Sequence, residues 1–409
     1  MNGRLSKGRW MAFEAESGRK TGATLALVGF LTLAILPRVA HTAAKNLTAA
    51  RSYFVYVASG SKGIYNYRFD PKTGQVTPMG VVAPALPNLS FLITDPQHRF
   101  LYAVTESGHA PGADASKTEG LVLSYSIDPK TGALKFLNKV DSAGRGPCHL
   151  LVDDSGKTLF VANYGSGSVA SFAINADGSI GAKTGFDQHT GKGPNPDRQE
   201  GPHAHATVLS PDNRFLFVPN LGIDQIKIYK FDAAKGTFAP NDPPFASVKA
   251  GLGPRHIVFG RGGKFAYVVC EMGSSVAVFS YDSVKGSLTP VQTISNLPSD
   301  FTGIDNSSEI EVGRSGRFLY ASNRGSDSIT VFAIDPSKGT LTRVQVAPTL
   351  GKIPRNFDID PTGKYLIAGN QISNQLVVFA VDQTNGQLKP AGQVLDVAGP
   401  VCILFVPGP

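Results

Sequence analysis

Cysteine is scarce in this sequence: Cys148, Cys270 and Cys402 in 409 residues. The number is odd and the spacing is not that of a zinc site, so neither a disulfide framework nor a structural zinc is expected. Each of the three lies in an apolar stretch. That predicts buried free thiols, with one bridge plus one free thiol as the alternative. Charge is sparse too, at 17% Asp, Glu, Lys and Arg. The net +8 shrinks on inspection, because residues 1–44 hold six Lys/Arg against Glu14 and Glu16 and the rest carry only +4. With no Lys/Arg block anywhere, a nucleic-acid partner is not expected. After residue 44 no long stretch repeats its apolar residues every 3.6 positions, which argues against helices. Long apolar runs are also missing, with one exception near the N-terminus. Arg19 and Lys20 precede ATLALVGFLTLAIL (23–36), Pro37 stops it, and Thr42, Ala43 and Ala44 follow. A basic segment, a short apolar run and small residues describe a secretory signal peptide. The alternative is an uncleaved membrane anchor, for which the run is short. Residues 1–44 are therefore assigned to export, with no membrane contact after cleavage, and 45–409 to a single domain. The expected location is periplasmic or secreted, or membrane-anchored if the segment is retained.

What the chain has in quantity is glycine, 45 residues, and a repeat. One unit reads turn, apolar run, Asn, Gly/Ser turn, apolar run: DDSGKTLFVANYGSGSVASFAI (153–174). Similar units are SPDNRFLFVPNLGIDQIKIYKF (210–231), GRGGKFAYVVCEMGSSVAVFSY (260–281), GRSGRFLYASNRGSDSITVFAI (313–334) and DPTGKYLIAGNQISNQLVVFAV (360–381). DPQHRFLYAVTESG (95–108) opens a sixth, and YFVYVASGSKGIYNYRF (53–69) is a seventh without its leading turn. Aligning Phe54, Phe100, Leu159, Phe215, Phe265, Phe318 and Tyr365 gives a mean step of about 52 residues, in the range of β-propeller blades. The runs are short and rich in Val, Ile, Phe and Tyr, and Gly, Asp, Asn and Pro bound them, as in strands.

Closure follows from counting. Before each turn comes a Gly-Pro or similar segment and a short apolar strand: Pro87, Gly146-Pro147, Gly201-Pro202, Gly253-Pro254 and Pro354, with NSSEIEV in place of the sixth. The first unit has no such strand, and the chain ends on one, GPVCILFV (399–406), with no unit after it. A circle resolves both ends and leaves no open sheet edge. The fold class is therefore all-β: a seven-bladed propeller of four-stranded antiparallel blades, closed when the C-terminal strand completes the first blade.

In such a meander the segment before strand one and the turn after strand two share a face near the central channel. That gathers His205, Arg255, His256, Glu271, Glu309, Arg324, Arg355 and Asn370 from several blades. GPNPDRQEGPHAH (193–205) adds Arg198, Glu200 and His203 at the mouth of one inner strand. Ionisable groups converging in a concavity are candidates for function. Other signals carry less. His203 and His205 could both ligate a metal, but no second His-rich motif completes a site, so no metal and no cofactor is expected. SGKT (155–158) lacks the first Gly of a phosphate loop. Asn163, Asn220, Asn323 and Asn370 recur at one blade position and read as turn residues. Arg255–Glu271 and Arg324–Glu309 could instead be structural ion pairs between blades.

GPNPDRQEGPHAHATVLSPD, GPRHIVF with CEM sixteen residues on, SSEIEV with SNRGSDSITVF, and PRNFDIDPTGKYLIAGNQ carry a further signal. Over residues 52–406 the chain resembles the lactonase family of seven-bladed propellers, which includes propeller-type 6-phosphogluconolactonase and carboxy-cis,cis-muconate cyclase. The resemblance implies a lactone site on the axial face, with His205, Arg255, Glu271 and Arg324 in the catalytic positions. Arg198, Glu200, His203, His256, Glu309, Arg355 and Asn370 are expected around the substrate. Two positions depart from many relatives: Cys270 where they have Asn, and Asn220 where they have Asp. The residue types suit lactone hydrolysis. Glu271 or His205 is a candidate general base. Arg255 or Arg324 is a candidate to hold the oxyanion, or a carboxylate or phosphate of the substrate. No G-x-S-x-G motif accompanies them, which favours direct attack by water. The expected partner is a small-molecule lactone, anionic or neutral, bound by a monomer. The competing functions are a non-catalytic binding propeller and a lactonising enzyme of the muconate-cyclase type.

Overall fold

A computed structural model describes residues 51–60, 62–84, 86, 88–106 and 120–409. The export segment assigned to 1–44, and Pro87, lie outside these residues. Seven antiparallel sheets of four strands surround one axis. The blades begin, innermost strand first, at Pro400–Pro407, Leu89–Thr94, Pro147–Val152, Val208–Leu209, Pro254–Phe259, Ser307–Val312 and Pro354–Ile359. Numbered in that order, blades two to seven are continuous in sequence. Blade one joins the two ends of the described chain, as Pro400–Pro407 pairs antiparallel with Tyr53–Ser59. Phe405 is set edge-on against Tyr53 and Phe69 from the rest of that blade. The expected ring closure is the observed one.

Side-chain chemistry follows position in the blade. Second strands are the most enclosed: Thr158–Asn163, Phe215–Asn220 and Phe318–Asn323 are buried at every residue. Outermost strands such as Leu388–Asp396 are largely exposed and carry the polar residues. The turn between strands one and two is closed by its own sequence. In blade three, Asp153 Oδ1 accepts from the amides of Lys157 and Thr158, at 2.9 and 2.7 Å. Asp360 does the same for Tyr365 in blade seven. The aligned aromatics explain themselves at the blade junctions. Phe100 of blade two lies against Gly178 of blade three (φ +85), where a Cβ would come within 2.1 Å of the ring. Tyr102 and Ser124 then both bond the Gly178 carbonyl.

One irregularity recurs in every blade. Each innermost strand slips by one residue against its neighbour near its start. The residue inside the slip is Val401, Ser90, Cys148, Arg255 or Arg355 in five blades. In blade six the slip spans Ser308 and Glu309. In blade four it lies between the bridge Ala204↔Asn220 and the pair Val208↔Phe217, and so includes His205. That inner strand is regular only over Val208–Leu209, and His205 is held by its amide to the Pro219 carbonyl at 2.9 Å. Such bulges re-aim a side chain that regular alternation would send elsewhere. The only helical piece among the described residues is a 3-10 turn, Leu221–Ile223, capped by Asn220. All three cysteines are free and buried.

Candidate active site

Two rings of equivalent positions build the site. The first is the slipped position of the inner strands, which supplies His205, Arg255 and Arg355. The second is the residue directly after each second strand, which supplies Glu106, Tyr164, Glu271 and Arg324. Together with Arg198, from the loop between blades three and four, these seven line one cavity of about 170 Å³ on the axial face. The Arg198 loop is anchored from below. Gln199 is fully buried and donates to the Leu221 carbonyl at 2.8 Å, while Asn195 Oδ1 accepts from the amides of Asp197 and Arg198.

Glu271 is the hub, with its side chain 6% exposed. Arg198 Nη2 donates to its Oε1 at 2.5 Å, and Arg255 Nε and Arg324 Nη2 reach Oε2 at 3.1 and 3.0 Å. His205 Nε2 lies 3.9 Å from the same Oε2. Burial alone would raise the Glu271 carboxyl, but Arg324, Arg255 and Arg198 outweigh it and hold it at about 2. Burial and then Arg255 and His256 push His205 well below the usual histidine range, so its ring is neutral at neutral pH. Burial and Arg324 bring Arg255 down to about 10, which leaves it charged. Arg355 pairs with Glu106 at 3.3 Å. The cavity wall therefore carries four guanidiniums against two carboxylates beside a neutral imidazole. The excess is positive.

The three guanidiniums on Glu271 are not held equally. Arg255 is buried, and its Nη1 donates to the Ser308 carbonyl at 2.9 Å and to His256 Nε2 at 3.1 Å. Arg324 bonds the carbonyls of Asn306 and Ser307. Among the described residues Arg198 has one further side-chain partner, the Tyr164 hydroxyl at 3.5 Å, and its side chain is 37% exposed.

Behind the cavity runs a buried polar column. A guanidinium only donates, so His256 Nε2 accepts from Arg255 and the ring proton sits on Nδ1. That proton is donated to Glu309 Oε1 at 2.8 Å. Glu309 Oε2 accepts from Asn356 Nδ2 at 2.6 Å, and Asn356 Oδ1 accepts from the Ile403 amide at 2.7 Å. The column crosses blades five, six, seven and one, and fixes the face of His256 turned to Arg255.

The structure thus brings together His205, Arg255, Glu271, Arg324, Arg198 and Arg355. His256 and Glu309 stand behind Arg255 and do not line the cavity. His203 stacks on Tyr164 at 4.4 Å and bonds the Tyr164 carbonyl and Glu200, so it and Glu200 support the wall. Asn370 is fully buried and donates to the Thr349 carbonyl, as a turn residue does. The ion pairs differ from the expected ones. Arg255 and Glu271 pair within one blade, Arg324 joins them on Glu271, and Glu309 takes His256 instead of Arg324. Glu106 and Tyr164 were not among the expected site residues. Their signal was available, because each follows its second strand as Glu271 and Arg324 do. Cys148 also enters: its thiol donates to the His205 carbonyl at 3.3 Å and lies 3.8 Å from His205 Nδ1. Among the described residues no three His, Cys, Asp or Glu side chains converge as metal ligands.

Fold and cavity together define a propeller with an ionisable site on its axis. The family model described as "Lactonase, 7-bladed beta-propeller" matches residues 53–405. The 6-phosphogluconolactonase of Bacillus subtilis is 35% identical over 357 residues, which is 86% of this chain and 96% of that protein. The 6-phosphogluconolactonase of Formosa agariphila is 36% identical over 73% of this chain and 82% of its own length. The solved structure of the periplasmic gluconolactonase of Pseudomonas aeruginosa superposes with a TM-score of 0.80 at 34% identity, covering 88% of this chain and 100% of that one. The chain belongs to the lactonase family of seven-bladed β-propellers.

Proposed function

We propose that this protein is an exported lactone hydrolase that adds water to the carbonyl of an anionic, sugar-type lactone at the axial site. The observation that carries the reading is the convergence of Glu271, neutral His205 and four arginines in one cavity whose charge is net positive. The names of the relatives support lactones as the substrate class, and the apolar run at 23–36 and the periplasmic relative support export.

Glu271 is a poor base in the resting site, because three guanidiniums already occupy its lone pairs. His205 is the better one. It is neutral, and its Nε2 faces the cavity beside Glu271. Water gives its proton to Nε2 as its oxygen bonds to the carbonyl carbon. Glu271, 3.9 Å away, stabilises the imidazolium that forms. Arg255 and Arg324 hold the developing oxyanion with N–H groups they do not spend on Glu271. The tetrahedral intermediate then breaks its bond to the ring oxygen, which takes the proton back from His205. The products are a hydroxyl and a carboxylic acid, which loses its proton to solvent. The remaining cations fit a phosphate or carboxylate on the substrate.

The test is proton release during hydrolysis of 6-phosphogluconolactone and gluconolactone by the purified protein, corrected for the spontaneous reaction. Wild type should turn over at least one of them, and His205→Gln and Glu271→Gln should abolish it. Rates at the spontaneous level for wild type on both lactones would overturn the reading.

A further inference from the structure

Glu271 divides its partners unevenly. Oε2 faces Arg255 and Arg324, which backbone carbonyls and His256 also hold. Among the described residues Oε1 has one partner, Arg198, which comes from a loop and is the most exposed of the three. An anion entering the cavity meets four guanidiniums. Withdrawing Arg255 would break bonds to His256 and the Ser308 carbonyl, and withdrawing Arg324 would break two carbonyl bonds. Arg355 also has a single pair, to Glu106 at 3.3 Å, but it sits on an inner strand and its side chain is 22% exposed against 37% for Arg198. Among the described residues Arg198, on a loop, gives up only the Glu271 bond and a long contact to Tyr164.

We infer that Arg198 is the specificity-determining residue of this site: a latch that neutralises Glu271 at rest and swings to the anionic group of the incoming lactone. The inference rests on the hydrolase reading above. Once Arg198 leaves, Oε1 keeps no partner among the described residues and the negative charge of Glu271 is less compensated. His205, beside it, then becomes a stronger base, because an uncompensated carboxylate favours the imidazolium. An anionic lactone thereby switches on the base that hydrolyses it. A neutral lactone of the same ring leaves Arg198 in place and meets a weaker base. Discrimination thus arises in turnover as well as in binding, which is how binding energy from a remote substrate group accelerates a reaction.

The latch makes Arg198 variants move two substrates in opposite directions. Arg198→Ala should lower kcat/KM for 6-phosphogluconolactone by about 10- to 100-fold, the loss of one charged clamp. It should raise kcat for gluconolactone by about 2- to 10-fold, because one of the three guanidiniums that quench Glu271 is gone. Arg198→Lys, which keeps the charge without the planar fork, should fall between wild type and Ala on both. Far-UV circular dichroism and thermal melts of both variants establish that they are folded, which a surface loop residue should allow. A parallel fall on both lactones, or no change on either, overturns the latch. Glu271→Gln separates this failure from that of the function itself. If it retains wild-type rates on both lactones, the axial site is not the hydrolytic one and the latch falls with it. If it is inactive while Arg198→Ala slows both substrates alike, the hydrolase reading stands and only the latch is lost.

Discussion

Replacing Glu271 with Gln should destabilise the fold, and the size of the effect should depend on pH. The side chain is nearly isosteric, so packing changes little, but three guanidiniums lose their shared counter-charge. The carboxyl is held at about 2 against an ordinary 4.5. At 1.36 kcal/mol per pKa unit this corresponds to about 3 kcal/mol of stability at neutral pH. The figure is an upper one, because Arg255 gives some back: burial and Arg324 lower it to about 10. The sign is set by the folded value lying below the unfolded one. The stabilisation is complete above about 4.5 and is lost as pH falls through about 2, with about 1.4 kcal/mol remaining at pH 3. Urea unfolding of wild type and Glu271→Gln at pH 7 and pH 3 measures both numbers. The gap in unfolding free energy should more than halve between them. An equal gap at the two pH values would show that the loss is one of packing, and no gap at pH 7 would show that the guanidiniums do not depend on this carboxylate. The result also matters for activity, since part of any loss in the variant would then come from arginines that have moved apart.

Glu309 acts on Arg255 through His256, which makes it a positioning residue. Glu309→Gln should lower kcat about tenfold or more by letting the guanidinium drift, with KM nearly unchanged; a raised KM at constant kcat would instead make Glu309 a binding group. His189 offers a second pH test. Its Nε2 meets the Tyr229 hydroxyl at 2.8 Å, its Nδ1 accepts from Asn220, and burial, helped by Lys227 and opposed by Asp187, holds it at about 4. Between pH 6.5 and 4 the unfolded chain takes up a proton that the folded one refuses, so stability should fall with pH by about 1.4 kcal/mol per unit from this residue. His189→Gln should remove that share, and an unchanged slope in urea titrations would place the proton elsewhere.

The architecture was legible because its signals are local and repeated. A turn aspartate, a following aromatic and a closing glycine recur in the blades, and the unpaired strand at 399–406 had one place to go. The axial gathering was legible for the same reason: a four-strand meander returns to its starting face every two strands. Glu106 and Tyr164 were missed although they occupy the position of Glu271 and Arg324, since TES and NYG carry no charge cluster to draw notice. The choice of partners was not legible. Whether Arg324 reaches Glu271 or Glu309 depends on where the slipped strands aim Arg255 and His256, and a one-residue slip is hidden in strands whose first four residues are all buried. The same holds for the column through Asn356 and Ile403, whose members are 47 residues apart in sequence.

The slipped position recurs in all seven blades, and only three of the seven carry a charged or imidazole group into the cavity. The others hold Cys148, Ser90, Val401 and, in blade six, Ser308 beside Glu309. Cys148, Ser90 and Ser308 each bond a backbone carbonyl of the next blade, at His205, Pro147 and Arg355, and Val401 packs in the core. The ring thus has two kinds of slipped position, three that line the cavity and four that hold the blades together. A substitution at His205, Arg255 or Arg355 changes a group that lines the cavity, whereas one at Cys148, Ser90 or Ser308 breaks a bond between blades. One position of the blade thus serves both the chemistry of the axis and the cohesion of the ring.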